Sequence, residues 1–538
     1  MKTRHWTRLC MALVSVAVAI VVSWPLVVWP SSAPLEPNSA GHALAAWDLL
    51  HGGGPFMFSS LGFPDGEPVR FLAWPVLLLT APLTLLLGGT VALNLGATLW
   101  LALQGFCVQE LGVTWGWSPT ARLLAVFGAC GSPTVVGAFG AGQYENIAIL
   151  PIFLAVWGAS RSGWKGLCVG ALGVASASLC SPYQGIVAAM FMLGVSVFAR
   201  RWLAGLVGSL IGLGVGGLYF LESLAPQMTA KHPVADGFQE GASLFGLLSP
   251  RFPYHNSDFI PAGSVVDRLH LAFSAPQDAD LAAGVPWDLP AVCTYVGWAF
   301  ILFGLAGLWR ARHQAFVRGL FCCGLVCILM SFGDNIQVVR GQPSGIPGPW
   351  ALLSWLPAAA DMQAPHRFVS GAVVALIFGL TFLAQKWTLR WGWLLGLFLM
   401  LESLLVAPAL WPFPRMLLAT DAVAEQLGDS TALAVWPPRN LIAGHEMEII
   451  TLQLGCPLAT FDCAGGPMER GLPTADRLTT KTCERNESGE TVDEWLARVR
   501  GAGVQQMLWF EGRTPHWEPP ISAPSTQTGT LRIYDLDG

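Results

Sequence analysis

Charge is scarce in this chain. Only 12% of its 538 residues are Asp, Glu, Lys or Arg, against roughly 25% in soluble domains, and 53% are apolar. A chain so poor in charge cannot cover a soluble surface, which excludes an ordinary water-soluble enzyme and leaves a membrane protein. The net charge of −5 is small and spread out. No basic tract or stripe is present to neutralise phosphates along a duplex, which argues against nucleic acid as a partner. Several catalytic signatures are missing too. There is no P-loop, so nothing suggests nucleotide hydrolysis; there is no HExxH or paired-cysteine spacing to suggest zinc, and no serine elbow. Internal repeats, heptad arrays and low-complexity tracts are also absent.

CxxC does not occur, although the chain has 12 cysteines. Cys10, Cys107, Cys130, Cys168, Cys180, Cys293, Cys322, Cys323 and Cys327 lie in or beside hydrophobic runs, where cysteine acts as a small apolar packer. Cys456, Cys463 and Cys483 lie in the polar C-terminal part, where an outward location permits one disulfide and one leftover thiol, with the pair undetermined. Lys2, Arg4 and Arg8 precede an apolar core as in a signal peptide. That core, from Leu9 to Trp29, is too long for a signal, and Pro34 follows the only plausible cut, so it reads as a membrane anchor.

What is present in abundance is long apolar runs. Crossing a hydrocarbon layer takes about 20 residues. Runs near 9–29, 91–112, 120–139, 144–160, 165–182, 184–200, 202–222, 291–309, 317–333, 367–385 and 391–411 give a polytopic, mostly α-helical bundle of about eleven spans. Short basic loops face the cytoplasm. Under this count Lys2, Arg4 and Arg8, Arg161 and Lys165, Arg200 and Arg201, Arg310, Arg312 and Arg318, and Lys386 and Arg390 all share one side. The N-terminus is then cytoplasmic, and the segments 30–90, 223–290, 334–366 and 412–538 face outward. A further run, "FLAWPVLLLTAPLTLLLG" at 71–88, would reverse every later loop if it crossed alone. The charges reject that, and it reads as an interfacial or re-entrant element, which membranes tolerate only where protein covers the backbone.

Composition shifts after Pro408. The stretches "TALAVWPP", "VQQMLWFEG" and "TGTLRIYDLDG" read as strands, and "TVDEWLARVRGAG" as an amphipathic helix with a Thr491/Glu494 capping box and glycine stops. The domains are therefore 1–411, a multi-span membrane domain, and 412–538, a small extracytoplasmic α/β domain.

Gly208, Gly212 and Gly216 recur every four residues; no strand precedes them, so they serve close helix packing and not a dinucleotide. Glu402, mid-span, is either functional or a protonated interhelical donor. Polar chemistry gathers on the outer side: Glu36, His42, Asp48, His51, Asp65, Glu67 and Arg70, then "GQYEN" with Gln143 and Glu145, "SPYQG" with Tyr183, and "DMQAPHRF" with His366 and Arg367. Such a set supplies a carboxylate to take a proton from an acceptor hydroxyl and cations to neutralise a phosphate leaving group. Equally, outward loops are simply where a membrane protein keeps its polar residues. Asp48 and His51, three apart, share one helical face with Leu44 and can share a proton.

The order of "HALAAWDLLHGGGPF", "GFPDGEP", "PLTLLLGGTVALNL", "FGAGQYENIAILPI", "MQAPHRF" and "ALAVWPPRN" resembles the GT-C superfamily of integral-membrane glycosyltransferases, and within it the YfhO-like bacterial branch. The resemblance covers most of the chain in short motifs. It implies a polyprenyl-phosphate-sugar donor, an acceptor that is a glycan, lipid or protein, a bacterial inner-membrane location, and a carboxylate base in the first outer loop. Where the family expects that acid, about a dozen residues before the glycine ending the loop helix, this chain has Asn38 and Ser39. Glu36 and Asp48 flank the gap as alternative bases; otherwise catalysis is lost and lipid binding kept. The late Arg-bearing motif of the family maps onto His366 and Arg367. Arg367 is then a clamp for the lipid phosphate, because a guanidinium pairs bidentately with phosphate oxygens, or else an interfacial anchor. Asp65, Glu67 and Arg70 would hold a divalent cation or the sugar, though "PDGE" is also ordinary turn chemistry. The competing reading is a non-catalytic lipid or glycan transporter, or an envelope assembly factor.

Overall fold

Apolar helices account for most of the described residues. The computed structural model describes residues 2–28, 73–87, 89–140, 142–229, 241–248, 294–339, 342–352 and 364–406, with short pieces at 33–34, 46, 49–50, 57–58, 67–68, 415–416, 433–436, 496–497, 500–501, 504–510, 524–528 and 531–536. The helices are α1 (Lys2–Val22), α2 (Trp74–Leu87), α3 (Gly89–Thr114), α4 (Pro119–Gly131), α5 (Pro133–Gly140), α6 (Tyr144–Ile147), α7 (Leu150–Ser160) and α8 (Trp164–Cys180). There follow α9 (Pro182–Phe198), α10 (Trp202–Thr229), α11 (Leu244–Leu248), α12 (Trp298–Arg310), α13 (Ala315–Ser331), α14 (Val369–Ala384) and α15 (Leu389–Val406). The strands are β1 (Ala33–Pro34), β2 (Met57–Phe58), β3 (Glu67–Pro68), β4 (Asn335–Val339), β5 (Gln342–Pro347), β6 (Arg415–Met416), β7 (Leu433–Trp436), β8 (Gln506–Phe510), β9 (Ser525–Thr528) and β10 (Leu531–Asp535). By length and composition, 91–114, 119–140, 202–219 and 365–384 are each long and apolar enough to cross a membrane, and seven further apolar helices are shorter. At the centre stands α14, buried on every side from Val369 to Thr381, as a helix hydrophobic all round must be.

Two of the expected spans are not single helices. Pro133 has no N–H, so the run 120–139 breaks at Ser132, whose backbone is extended, into α4 and α5. The run 144–160 likewise breaks between α6 and α7, ahead of Pro151. Broken backbone at membrane depth needs partners from elsewhere in the protein. Gln104 of α3 supplies both. Its Nε2 donates to the Ala129 carbonyl (2.7 Å), the very oxygen an amide at position 133 would have served, and its Oε1 accepts from Leu150 N (2.9 Å).

The basic loops gather at one end of the bundle. Arg8 pairs with Glu110 (3.0 Å), Arg161 donates to the Thr114 carbonyl, Arg201 reaches the Ser160 carbonyl (3.4 Å), and Arg318 lies over Phe198. Ser118 N donates to Gln385 at this same end (3.0 Å). Opposite it, β1 pairs with β6, Ala33 against Met416. The chain following α1 therefore lies beside the chain following α15. The 14 residues of α2 span about 21 Å, and the helix packs along α3, where a side chain on Gly96 would overlap Thr80.

Close packing of α10 on its neighbours explains its glycine spacing. A Cβ on Gly212 would stand 2.5 Å from Val174 Cβ, while those on Gly208 and Gly216 would overlap Met192 and Ser178. In the C-terminal part β7, β8 and β10 fall where strands were expected, joined by β9 in the order β7-β8-β10-β9, with β7 parallel to β8 and the other pairs antiparallel. Residues 496–497 and 500–501 of the expected amphipathic helix are helical. The three C-terminal cysteines lie outside the described residues.

Candidate functional site

Three turns at the ends of helices meet at the end of the bundle away from the basic loops. The first runs from Gly142 into α6. Gly142 has φ of +63°, a left-handed conformation that glycine adopts without strain. Gln143 N closes this turn on the Ala138 carbonyl (2.9 Å). The second is the tight α8–α9 connection, where extended Ser181 precedes Pro182 at the first position of α9, a place where the missing amide of proline costs nothing. The third is a 3-10 turn, Pro365–Phe368, that opens α14.

Side chains tie the three together. Glu145 pairs with Arg367 (Oε1 to Nη1, 3.3 Å), both largely buried with 9% and 19% of their side chains exposed. The Arg367 guanidinium also lies 5.5 Å over the ring of Tyr183, a cation–π contact. The Tyr183 hydroxyl accepts from Ala364 N (2.7 Å), fixing the start of the third turn, and Phe368 packs edge-on against the same ring (5.8 Å) with Trp350 behind it. Beneath the ion pair runs a chain of amides. Ser370 Oγ donates to Gln184 Oε1 (3.3 Å), Gln184 Nε2 donates to Asn146 Oδ1 (3.5 Å), and Asn146 Nδ2 donates to Gln143 Oε1 (2.8 Å). One polar thread therefore crosses all three turns. His366 is buried beside it at 3% exposure.

The electrostatic consequence is a cation fixed on one flank and unpartnered on another. Nη1 of Arg367 is taken by Glu145, whereas its buried Nε has no hydrogen-bond partner among the described residues. A guanidinium so held has lost its rotamer freedom in advance, and its Nε is a buried donor that no described residue satisfies.

Of the residues expected from sequence, Gln143, Glu145, Tyr183, His366 and Arg367 are thus brought together. Glu36, His42, Asp48, His51, Asp65 and Arg70 lie outside the described residues. Glu67 is described only through its backbone, in β3 opposite Phe58. Among the described residues no group of three or more His, Cys, Asp or Glu gathers to hold a metal, and Glu145 is already committed to Arg367. Sequence reasoning did not nominate Asn146, Gln184 or Ser370. The first two stood inside quoted motifs, but nothing in their spacing indicates that they bond to each other.

Glu402 belongs elsewhere. Its carboxylate accepts from Tyr295 Oη (2.7 Å), Trp298 N and Ala299 N (3.0 Å), the last two in the first turn of α12. Gly297, the N-cap of α12, has no side chain to do this. The acid on α15 caps α12 from outside, a structural duty at a helix N-terminus.

No family model matches the chain and no curated protein does. Among solved structures, it is similar to the oligosaccharyltransferase of Archaeoglobus fulgidus in the apo form at 12% identity, covering 93% of this chain and 69% of that one with a TM-score of 0.44. It is also similar to the archaeal oligosaccharyltransferase AglB of Archaeoglobus fulgidus in complex with an inhibitory peptide and a dolichol-phosphate, at 12% identity, covering 99% and 74% with a TM-score of 0.47.

Proposed function

We propose that this protein is a membrane glycosyltransferase of the GT-C kind, in the YfhO-like branch, moving a sugar from a polyprenyl-phosphate carrier to an acceptor at the outer face of a bacterial inner membrane. The observation that carries the reading is Arg367, clamped by Glu145 and Tyr183 with its buried Nε unpartnered among the described residues, at the end of an apolar bundle remote from the basic loops. By the preference of basic loops for the cytoplasm, that end is the outer one, with about eleven crossings and the C-terminal domain outside.

In this mechanism the acceptor hydroxyl attacks the anomeric carbon of the donor sugar. Glu36 or Asp48 takes the hydroxyl proton, and the bond from carbon to phosphate oxygen breaks. The leaving phosphate gains negative charge as the bond lengthens, and Arg367, with His366 next to it, stabilises that charge more in the transition state than in the ground state. Glu145 is a positioning residue: it sets the guanidinium and does not touch the substrate. Asp65 and Glu67 would be the groups for a divalent cation, and no step here passes through one. The alternative of a transporter loses its best support, since Glu402, the acid at mid-span, caps a helix.

The test is transfer of label from radiolabelled polyprenyl-phosphate sugars by the purified protein in liposomes. Removing one preorganised donor to a developing oxyanion costs roughly 10²–10³ in rate, so Arg367→Ala is expected to lose transfer on that scale. Full transfer by Arg367→Ala overturns the proposal. Full transfer by Glu36→Gln/Asp48→Asn removes the assignment of the base.

A further inference from the structure

At the basic end, α7, α8, α9 and α10 leave a cavity of about 420 Å³ between their tips. Two short turns border it, Arg161–Gly163 and Arg200–Arg201, so three arginines line the cavity and, among the described residues, no carboxylate does. Two helices also begin there. Gly163 is the N-cap of α8 and offers no capping side chain, and α10 starts from Arg201, whose carbonyl accepts from Gly205 N (3.2 Å). A helix N-terminus carries partial positive charge and is normally answered by Ser, Asp or Glu. Here both are answered by glycine or by more positive charge.

The arginines are not used up by the fold. Arg161 donates to the Thr114 carbonyl and stacks over Trp157, and Arg201 makes one long bond to the Ser160 carbonyl (3.4 Å). The Arg200 guanidinium has no hydrogen-bond or ion-pair partner among the described residues. Its backbone makes the point more strongly. Arg200 N bonds Val197 O (3.0 Å) and Arg201 N bonds Ser196 O (2.7 Å), the Schellman ending of α9, with Arg200 at φ +58°. That position is usually glycine, and an arginine there is strained. Arg200 thus borders the cavity with a charge that no described residue answers.

We propose that the cavity holds the phosphate of an anionic phospholipid from the leaflet at the basic end. Phosphate is the chemistry that three guanidinium groups and two helix N-termini share. The lipid, as against a free phosphate ion, follows from what continues away from the cavity. Trp202 and Leu203 at its rim are 57% and 59% exposed, and Val207, Leu210, Ile211 and Leu218 carry an exposed apolar face along α10 for acyl chains. The site stands apart from the sugar-transfer reading and does not depend on it.

The test uses full-length protein in phosphatidylcholine nanodiscs, with thermal unfolding and native mass spectrometry as phosphatidylglycerol is added. Phosphatidylglycerol is expected to raise the melting temperature by several degrees and to bind as discrete adducts, while millimolar inorganic phosphate does neither. With about 1 kcal/mol per basic residue at a membrane surface, Arg200→Gly should weaken binding roughly fivefold and Arg200→Gly/Arg201→Ala roughly thirtyfold. Arg200→Gly should melt in phosphatidylcholine alone no lower than wild type, because glycine accepts that backbone conformation. An unchanged response to phosphatidylglycerol in Arg200→Gly overturns the site. An equal response of the wild type to inorganic phosphate overturns the lipid as its occupant.

Discussion

Breaking the Glu145–Arg367 pair on one side is expected to cost far more stability than removing both partners, while activity stays lost in either case. At 3.3 Å and an effective dielectric constant near 20, the attraction is about 5 kcal/mol. Against it stands the desolvation of two groups with 9% and 19% of their side chains exposed. Glu145→Gln leaves the Arg367 charge buried over Tyr183 without its counter-ion, and Arg367→Gln leaves the carboxylate; each is expected to destabilise by about 3–5 kcal/mol. In Glu145→Gln/Arg367→Gln both charges are gone and two amides can hydrogen-bond in their place, so most of that loss should return. The stability cycle is read by urea unfolding in mixed micelles, and sugar transfer is measured on the same preparations. Transfer should fall in both single variants and should not recover in the double variant, because the phosphate partner is still missing. If transfer recovers together with stability, the pair is only a strut, and the argument for Arg367 as the phosphate clamp fails.

Two further outcomes follow from other contacts. Glu402→Gln should cost about 2–3 kcal/mol in the same unfolding assay, because a charge-assisted bond is worth about 1.5–3 kcal/mol and the new amide NH₂ opposes an α12 amide; Glu402→Gln with no loss would refute the cap. Asp334 stands just beyond α13, where desolvation holds its carboxyl above the usual value of 3.8. The folded protein thus keeps this proton to higher pH than the unfolded chain does. The associated stability is fully present below 3.8 and is lost as pH rises through the elevated value. Asp334→Asn should therefore melt higher than wild type at neutral pH, with the gap closing near pH 3.5, and a gap that does not narrow would contradict it.

Much of the architecture was legible because transfer of apolar residues into lipid is a one-dimensional property of the chain. Runs of about twenty apolar residues mark helices wherever they fall. The clustering of Arg8, Arg161, Arg201 and Arg318 at one end needed only the count of loops between them. The same count put "GQYEN", "SPYQG" and "DMQAPHRF" together at the other end, and Glu145, Tyr183 and Arg367 from these three stretches do meet. Strands β7, β8 and β10 were legible from alternation in the C-terminal part.

Hydropathy averages over a window and is blind to hydrogen bonds, which is why the breaks at Ser132 and before Pro151 read as unbroken spans. Gln104, the residue that makes those breaks tolerable, looks in sequence like a stray polar group, because its partners lie 25 and 46 residues away. Glu402 was ambiguous for the same reason: its meaning is set by Gly297 and two amides over a hundred residues distant. The sequence alone determined which segments are apolar helices, which basic loops share an end of the bundle and which residue types stand at each end, since these depend on local composition. Only the tertiary structure decided that Arg367 meets Glu145 and Tyr183, and that Arg161, Arg200 and Arg201 enclose a cavity. Pair energies depend on distances of a few ångströms between residues far apart in the chain, and those distances exist only once the helices pack.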